Sequence, residues 1–282
     1  MPVLGTNRYG KSRIRLVKVR RPASASGDAP HELVDLTIDV GLEGAFEAVY
    51  VDGDNAACLA TDTMKNTVYA FARTHEIAHV ETFALALAGH FVAQPAVSRA
   101  TVATVEHRWE RLVADGRSHP HAFVQPGGEQ WTAKVTRDEE GTRVSSGLTN
   151  LIVLKTSDSG FAGFPRDAYT TLPETTDRIL ATAVTAGWVY RSVSVDFGAR
   201  NRIRAALVES FAAHDSRSVQ HTLYAMGGAA LASCSDITEI TLSMPNRHHL
   251  LVDLQPFGLD NPNEIFVATD QPFGLIEATV RR

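Results

Sequence analysis

The chain has 282 residues, a length that suggests one large or two medium domains. Hydrophobic residues make up 44% and charged residues 21%, as in globular proteins, and a net charge of −5 argues against nucleic-acid binding, which needs a basic face. The two cysteines, Cys58 and Cys234, give no disulfide framework and fit a reducing compartment, and no apolar run reaches the ~18–20 residues that a membrane span needs.

The first half of the sequence predicts two strands, two helices and two more strands. In chain order these elements cover residues 13–19, 31–42, 61–73, 76–92, 101–113 and 121–135. The arginine-rich stretch 8–27 also resembles a transit peptide, but its alternation of aliphatic and basic residues favours an amphipathic strand. For the first helix, Thr61 or Asp62 is the expected N-cap. Gly127-Gly128 is expected to interrupt the last strand region.

The second half repeats this order of elements. We expect strands over 151–155 and 189–196 with a short helix over 175–185 between them, helices over 200–214 and 218–231, and strands over 237–244 and 264–269. Sequence identity between the halves is negligible, so the repeat is one of element order. The prediction is an α+β protein of two similar domains, residues 1–145 and 146–282.

One segment carries a motif of zinc proteases. Residues His75-Glu76-Ile77-Ala78-His79 have the H-E-x-x-H spacing, which on a helix places two imidazoles one turn apart with the glutamate as general base. The extended motif needs a glycine at position 82 and a histidine at 85, where the chain has Thr82 and Leu85. A zinc hydrolase is therefore an alternative, but a solvent-facing or capping part of the helix is favoured.

Four short segments, far apart in the sequence, resemble one enzyme family. They are Tyr9-Gly10-Lys11, Ala60-Thr61-Asp62-Thr63-Met64-Lys65-Asn66-Thr67, Ser218-Val219-Gln220 and Met244-Pro245-Asn246-Arg247-His248. In combination they are similar to the urate oxidases (uricases), and the resemblance extends from about residue 7 to about residue 280. It implies two tandem tunnelling-fold (ββααββ) domains, whose antiparallel sheets form a barrel on oligomerisation with the helices outside.

The resemblance also implies an activity and an assembly. Urate oxidases convert urate, O2 and water to 5-hydroxyisourate and H2O2 in purine degradation, without a metal or an organic cofactor. The family forms homotetramers with active sites at subunit interfaces. The chain lacks the C-terminal Ser-Lys-Leu address of peroxisomal proteins, so we expect a cytoplasmic enzyme.

Four residues are expected to bind urate, which is a flat purine anion. Arg178 offers a planar fork of donors for an oxygen and an adjacent ring nitrogen, and Gln220 offers one donor and one acceptor for the amide-like edge. Phe161 can stack on the ring, a contact worth roughly 0.5–1.5 kcal/mol in aromatic pairs. The resemblance implies that the main chain of Val219 also contacts the substrate. Singly, each residue has an ordinary structural explanation, and the joint match carries the assignment.

The resemblance assigns catalysis to Lys11, Thr61 and His248. Urate must lose a second proton before it gives an electron to O2, and a neutral Lys11 could draw that proton through the Thr61 hydroxyl. Burial and the nearby His248 are expected to favour the neutral lysine, and a histidine can complete the proton relay near neutral pH.

Two further residues are expected to contact the reactants. Asn246 precedes His248 by two residues, so both side chains would share one face of a strand. The resemblance implies that Asn246 and Thr61 hold O2, and later the attacking water, above the purine. It also implies that Thr61 and Asp62 reach the substrate from a neighbouring subunit. The alternative for residues 246–249 is a polar turn after Pro245.

A non-catalytic purine- or pterin-binding protein of the same fold is a further alternative. Such a protein would keep Arg178, Gln220 and Phe161 but tolerate the loss of Lys11 and His248. All five residues are present, which favours the enzyme.

Overall fold

A computed structural model describes residues 2–22 and 29–282 of the chain, which divides into two compact units. Unit 1 comprises Met1–Gly147 and Val189–Gly198, and unit 2 comprises Leu148–Trp188 and Ala199–Arg282. The prolines and small residues over 22–30 also predict a loop, which lies largely outside the described residues. Among those that are described, no helix is long and apolar enough to cross a membrane.

Unit 1 is built from antiparallel strands and three helices. Its elements are β1 Tyr9–Arg20, β2 Glu32–Gly44, α1 Glu47–Val51, α2 Thr61–Thr74, α3 Val80–Val92, β3 Val97–His107, β4 Glu110–Ala114, β5 Arg117–Val124, β6 Gln130–Asp138 and the first half of β7 Gly141–Lys155. The strand order is β1-β2-β3-β6-β7, and β4 and β5 form a separate hairpin. Helix α3 buries Phe83, Leu87 and Phe91, at helical spacing, against β3 and β6. Helix α2 packs against β1.

Unit 2 has a simpler order of two strands, two helices and two strands. They are the second half of β7, then β8 Leu180–Tyr190, α4 Arg200–Ala213, α5 Val219–Ser233, β9 Ile237–Leu251 and β10 Phe266–Arg281. Strands follow the order β7-β8-β9-β10, with β9 and β10 antiparallel. Helix α5 lies on β9 and β10, and the approach is close, because a Cβ at Gly227 would lie 2.5 Å from Cγ2 of Val280. The fold class is therefore α+β with a large antiparallel sheet.

Most predicted elements are confirmed, but four predictions are wrong. The expected helix over 175–185 and the expected strand over 189–196 are both wrong, because strand β8 begins at Leu180 and ends at Tyr190, with buried positions alternating at Val184, Ala186 and Trp188. The predicted strand pair over 101–135 is four strands, β3 to β6, with Gly127 between the last two. The predicted helix from residue 76 begins at Val80 instead, because Ile77 packs into the core from a non-helical segment and mimics helical spacing.

Gly10 provides a stability test of the β1–β2 pairing. A Cβ at this position would lie 1.9 Å from the carbonyl oxygen of Val40, so Gly10→Ala must push the two strands apart. We expect a loss of stability of about 1–3 kcal/mol, typical of overpacking, seen as a lower midpoint of thermal unfolding. The matched control is Gly228→Ala on α5, where a Cβ meets open space and alanine should raise the midpoint. An unchanged midpoint for Gly10→Ala would show that the strands can separate freely.

Candidate active site

Lys11 lies in unit 1, where strand β1 is distorted. It pairs with Val40 of β2, and the register shifts between Lys11 and Ile14. Within this bulge Arg13 has a positive φ of 58°, and its N–H donates to Oδ1 of Asp39 at 2.5 Å. Bulges re-aim the side chains beside them. The side chain of Lys11 is half-buried.

The first turn of α2 lies close to Lys11. The N-cap position is taken by Ala60, which corrects the prediction of Thr61 or Asp62, and Thr61 is the first helical residue. The Asp62 carboxylate accepts hydrogen bonds from Lys65 and, at 2.9 Å, from Nδ2 of Asn66. The pKa of Asp62 is lowered first by the hydrogen bond from Lys65 and further by the charges of Lys65 and Lys11. Unit 1 thus brings Lys11, Thr61 and Asp62 together.

Arg178 lies in unit 2 without an anionic partner. Its guanidinium is half-buried, its Nε is buried with no hydrogen-bond partner, and no carboxylate among the described residues pairs with it. Burial alone lowers the pKa of the guanidinium from its ordinary value. Its Cζ lies 5.3 Å from the ring centroid of Phe161. A desolvated cation beside an aromatic ring is suited to bind a flat anion.

A set of backbone hydrogen bonds fixes Phe161 beside Arg178. Phe161 exchanges two bonds with Thr175, at 2.8 and 3.0 Å, and its ring stacks on Phe164 with centroids 4.8 Å apart. The carboxylate of Asp177 accepts a hydrogen bond from Oγ of Ser157 at 2.8 Å, which is the main cause of its lowered pKa. The segment before Arg178 is therefore tied to the segment that carries Phe161.

The same segment is bonded to the start of helix α5. The N–H of Gly160 donates to the carbonyl oxygen of Ser216 at 2.7 Å. Two residues later, Ser218 caps α5 and accepts from the N–H of His221 at 3.1 Å. Val219 and Gln220 are the first two helical residues, whose N–H groups have no partner inside a helix. The start of α5, which carries Val219 and Gln220, is thus bonded to the segment that carries Phe161.

Asn246 and His248 both lie on β9, so the expectation of a shared strand is confirmed and the polar-turn alternative is wrong. Their partners on β10 are Gly274 and Thr269, and the register shifts between these two. Both side chains are half-buried, and the described structure shows no hydrogen bond to either. Their polar atoms therefore remain available for a ligand.

A protein-family model described as "Uricase" matches residues 7–136 and 144–277 of the chain. The chain belongs to the uricase family. A protein named Uricase from Arthrobacter globiformis is 48% identical over 282 residues, covering 99% of this chain and 90% of the relative. Uricase from Aspergillus flavus is 36% identical over 298 residues, covering 100% and 98%. The crystal structure of the Arthrobacter uricase superimposes with a TM-score of 0.94, covering 100% of this chain and 96% of the other.

The zinc-site alternative is wrong for this uricase-family chain. His75 ends α2 and His79 precedes α3, and both have extended backbone, so the helical spacing that would face the two imidazoles towards one ion is absent. His75 stacks on Phe71 with ring centroids 4.7 Å apart. Throughout residues 2–22 and 29–282, no group of three or more His, Cys, Asp and Glu side chains could hold a metal.

The predicted site residues divide into two groups by unit: Lys11, Thr61 and Asp62 lie in unit 1, and the other six lie in unit 2. Surface cavities of about 520 and 470 Å³ are lined by other residues, the first around Arg99 and the second around His214. Sequence reasoning missed Ser216, whose carbonyl oxygen accepts from the N–H of Gly160 and so ties the Phe161 segment to the start of α5. No pattern in the sequence pointed to Ser216.

Proposed function

We propose that the chain is a cofactor-independent urate oxidase that converts urate, O2 and water to 5-hydroxyisourate and H2O2. Family membership supports this reaction, since full-length relatives with 35–48% identity carry the name Uricase. The reaction balances: two electrons pass from urate to O2, which leaves as peroxide, and the oxygen of water stays on the purine.

The observation that carries the proposal is the unpaired guanidinium of Arg178. A buried cation without a counter-charge is costly unless a ligand supplies one. The urate anion supplies the charge, a carbonyl oxygen and a ring nitrogen for the two-pronged contact, and a flat ring for Phe161. Gln220 binds the amide-like edge of the purine, and the N–H of Val219 faces it from the first turn of α5, where the helix dipole favours negative charge.

The proton chemistry uses residues of both groups. Lys11 accepts the second proton of urate through the hydroxyl of Thr61, and His248 completes the relay. Asn246, two residues along β9, holds O2 with Thr61 and then positions the attacking water. The electron comes from the urate dianion itself, so the residues supply position, proton transfer and electrostatic stabilisation.

We further propose that the working enzyme is a homotetramer with its sites at subunit interfaces. All residues of each group lie within one compact unit. This division supports a site assembled from Lys11, Thr61 and Asp62 of one protomer and the unit 2 group of another. In this proposal the units correspond to tunnelling-fold domains 1–145 and 146–282, and the antiparallel sheets of several subunits join into a barrel on oligomerisation.

The proposal is tested by assaying the chain after exhaustive chelation. We expect urate's ultraviolet absorbance to fall with one peroxide formed per urate, at a rate that added chelator does not change. A correctly assembled tetramer that shows no turnover would refute the oxidase. If that inactive protein still bound a non-oxidisable urate analogue, it would be a purine-binding protein instead.

A further inference from the structure

Two histidines in unit 2 form a hydrogen bond that the proposed chemistry does not use. Nε2 of His214 lies 3.1 Å from Nδ1 of His221, and the two rings meet edge-on with their centroids 4.3 Å apart. At this separation one ring donates its N–H and the other accepts with its neutral nitrogen. The pair lines a surface cavity of about 470 Å³ together with Asp215 and Arg217, so protons reach both imidazoles from solvent.

The backbone of His214 is anchored at the end of helix α4. Its N–H donates to the carbonyl oxygen of Ser210 at 3.1 Å. Its carbonyl oxygen accepts from Nζ of Lys155, the last residue of β7, at 2.6 Å. Both bonds use backbone atoms of His214, so they persist when its side chain is changed. The imidazole of His214 is therefore a fixed point for the residue that it contacts.

His221 lies on the helical turn that carries the proposed purine-binding residues. It is the third residue of α5, directly after Val219 and Gln220. The first turn of a helix frays readily, because its N–H groups lack partners within the helix. The N–H of His221 has a partner outside the helix, the hydroxyl oxygen of Ser218. A bond to the side chain of His221 further limits the movement of Gln220 beside it.

Two sets of bonds thus hold the start of α5, one on its buried side and one on its exposed side. On the buried side, the hydroxyl of Ser216 donates to the carbonyl oxygen of Ser218 at 3.1 Å and accepts from Thr222 at 2.7 Å. On the exposed side, His221 is joined to His214. The second bond connects the start of α5 to the end of α4 and lies beside Gln220.

We propose that His214 and His221 are positioning residues, whose hydrogen bond holds the amide of Gln220 in place to bind the edge of urate. In this proposal neither imidazole touches urate or O2. Because the bond acts on a binding residue, its loss weakens purine binding more than it slows the proton relay, whose residues lie on other elements. The inference rests on the proposed function, since that function gives Gln220 its binding role.

The same pair makes purine binding depend on pH. The pKa of His214 is lowered from its ordinary value of 6.5 by burial first, and then by the charges of His221 and Lys155, while Asp215 opposes the shift. A lowered pKa means that the bonded state favours the neutral ring, so the bond is fully present above pH 6.5 and is lost as the pH falls through the lowered value. Once both rings are protonated neither can accept, and their charges repel each other and that of Arg217.

The test is His221→Ala, which removes the imidazole but keeps the backbone N–H that donates to Ser218. The position is exposed and alanine is the best helix former, so helix propensity does not weaken α5. We expect the dissociation constant of a non-oxidisable urate analogue and the KM for urate to rise about 3- to 10-fold, as for the loss of one hydrogen bond, with kcat within about twofold of wild type. His221→Gln keeps a donor and an acceptor and should recover part of the affinity.

His90→Ala is the matched control, because it removes an exposed imidazole from helix α3 in unit 1, where the ring contacts Phe71 and Phe91. The control should keep both constants at their wild-type values. His214→Ala should raise the dissociation constant as much as His221→Ala does, and the double variant should show no further rise, because both changes remove the same bond. Below pH 6.5 the analogue's affinity should fall more steeply in wild type than in either variant.

Three outcomes would overturn the inference. They are wild-type analogue affinity in both single variants, losses that multiply in the double variant, and a pH profile of the affinity that is the same in wild type and in His221→Ala. Equal losses of kcat and of affinity would show general damage and would also contradict positioning. The analogue binds without turnover, so these results are independent of catalysis. A wild-type protein that neither turns over urate nor binds the analogue would instead overturn the proposed function.

Discussion

Thr61→Ala is expected to lower kcat for urate by about 10²–10⁴-fold and to leave the affinity for a non-oxidisable analogue within a few-fold of wild type. The hydroxyl both donates and accepts, so its loss breaks the path that we propose for the proton from urate to Lys11. Lys11→Met should have an effect of similar size, because it removes the acceptor at the end of that path. Steady-state kinetics and analogue binding on the same preparations measure both quantities.

The structure makes this test clean, because Thr61 does not cap α2. The N-cap position belongs to Ala60, so alanine at position 61 removes no capping bond. Thr63→Ala, in the same turn, and Lys18→Met, on the same strand, are the matched controls and should retain wild-type turnover. Parallel losses of kcat and of analogue binding in Thr61→Ala would show that Thr61 has a structural role.

Arg178→Gln is expected to weaken binding of the urate analogue by about 10- to 100-fold, since charge-assisted hydrogen bonds contribute about 1.5–3 kcal/mol. The KM for urate should rise in parallel. Arg178→Lys should recover part of the loss, because it keeps the charge but lacks the planar fork. Isothermal titration calorimetry with the analogue gives the affinities directly.

Arg166 provides the control for this prediction. It lies near Arg178 in sequence, with its Cζ 5.8 Å from the centroid of Phe164, but it is exposed and its Nη1 donates to the carbonyl oxygen of Leu172. Arg166→Gln should leave the affinity unchanged. Equal losses in the two variants would mean that the loop as a whole, and not the unpaired guanidinium, determines binding.

The sequence predicted the elements in which hydrophobic residues recur at the spacing of a single buried face. Helix α5 buries Val219, Leu223, Met226 and Ala230 at helical spacing, and its predicted range agrees with the structure within two residues at the C-terminal end. The prediction for strand β8 was wrong because its alanines favour a helix. Its conformation is determined by packing against neighbouring strands, which a local sequence pattern does not show. The β4–β5 hairpin was missed since its strands are short and largely exposed. Its Asp115-Gly116 turn has positive φ at both residues, a pairing that is typical of short hairpins.

The site was predictable to the extent that its residues lie in recognisable segments. The shared strand of Asn246 and His248 followed from a spacing of two, and the structure has that strand. The catalytic and binding roles of the residues stay predictions. The bond from Gly160 to Ser216 was beyond prediction, because it joins residues 56 positions apart through backbone atoms.

The lack of a counter-ion for Arg178 also has a consequence for the resting protein. A fold that holds a half-buried positive charge without a counter-charge has its lowest free energy of unfolding when no anion is bound beside that charge. A small anion that binds beside Arg178 in the folded protein therefore raises the free energy of unfolding, and the increase grows with the anion's concentration. If urate binds at Arg178 as proposed, the anions that stabilise the protein in storage compete with urate, so stability and catalytic rate favour different buffers.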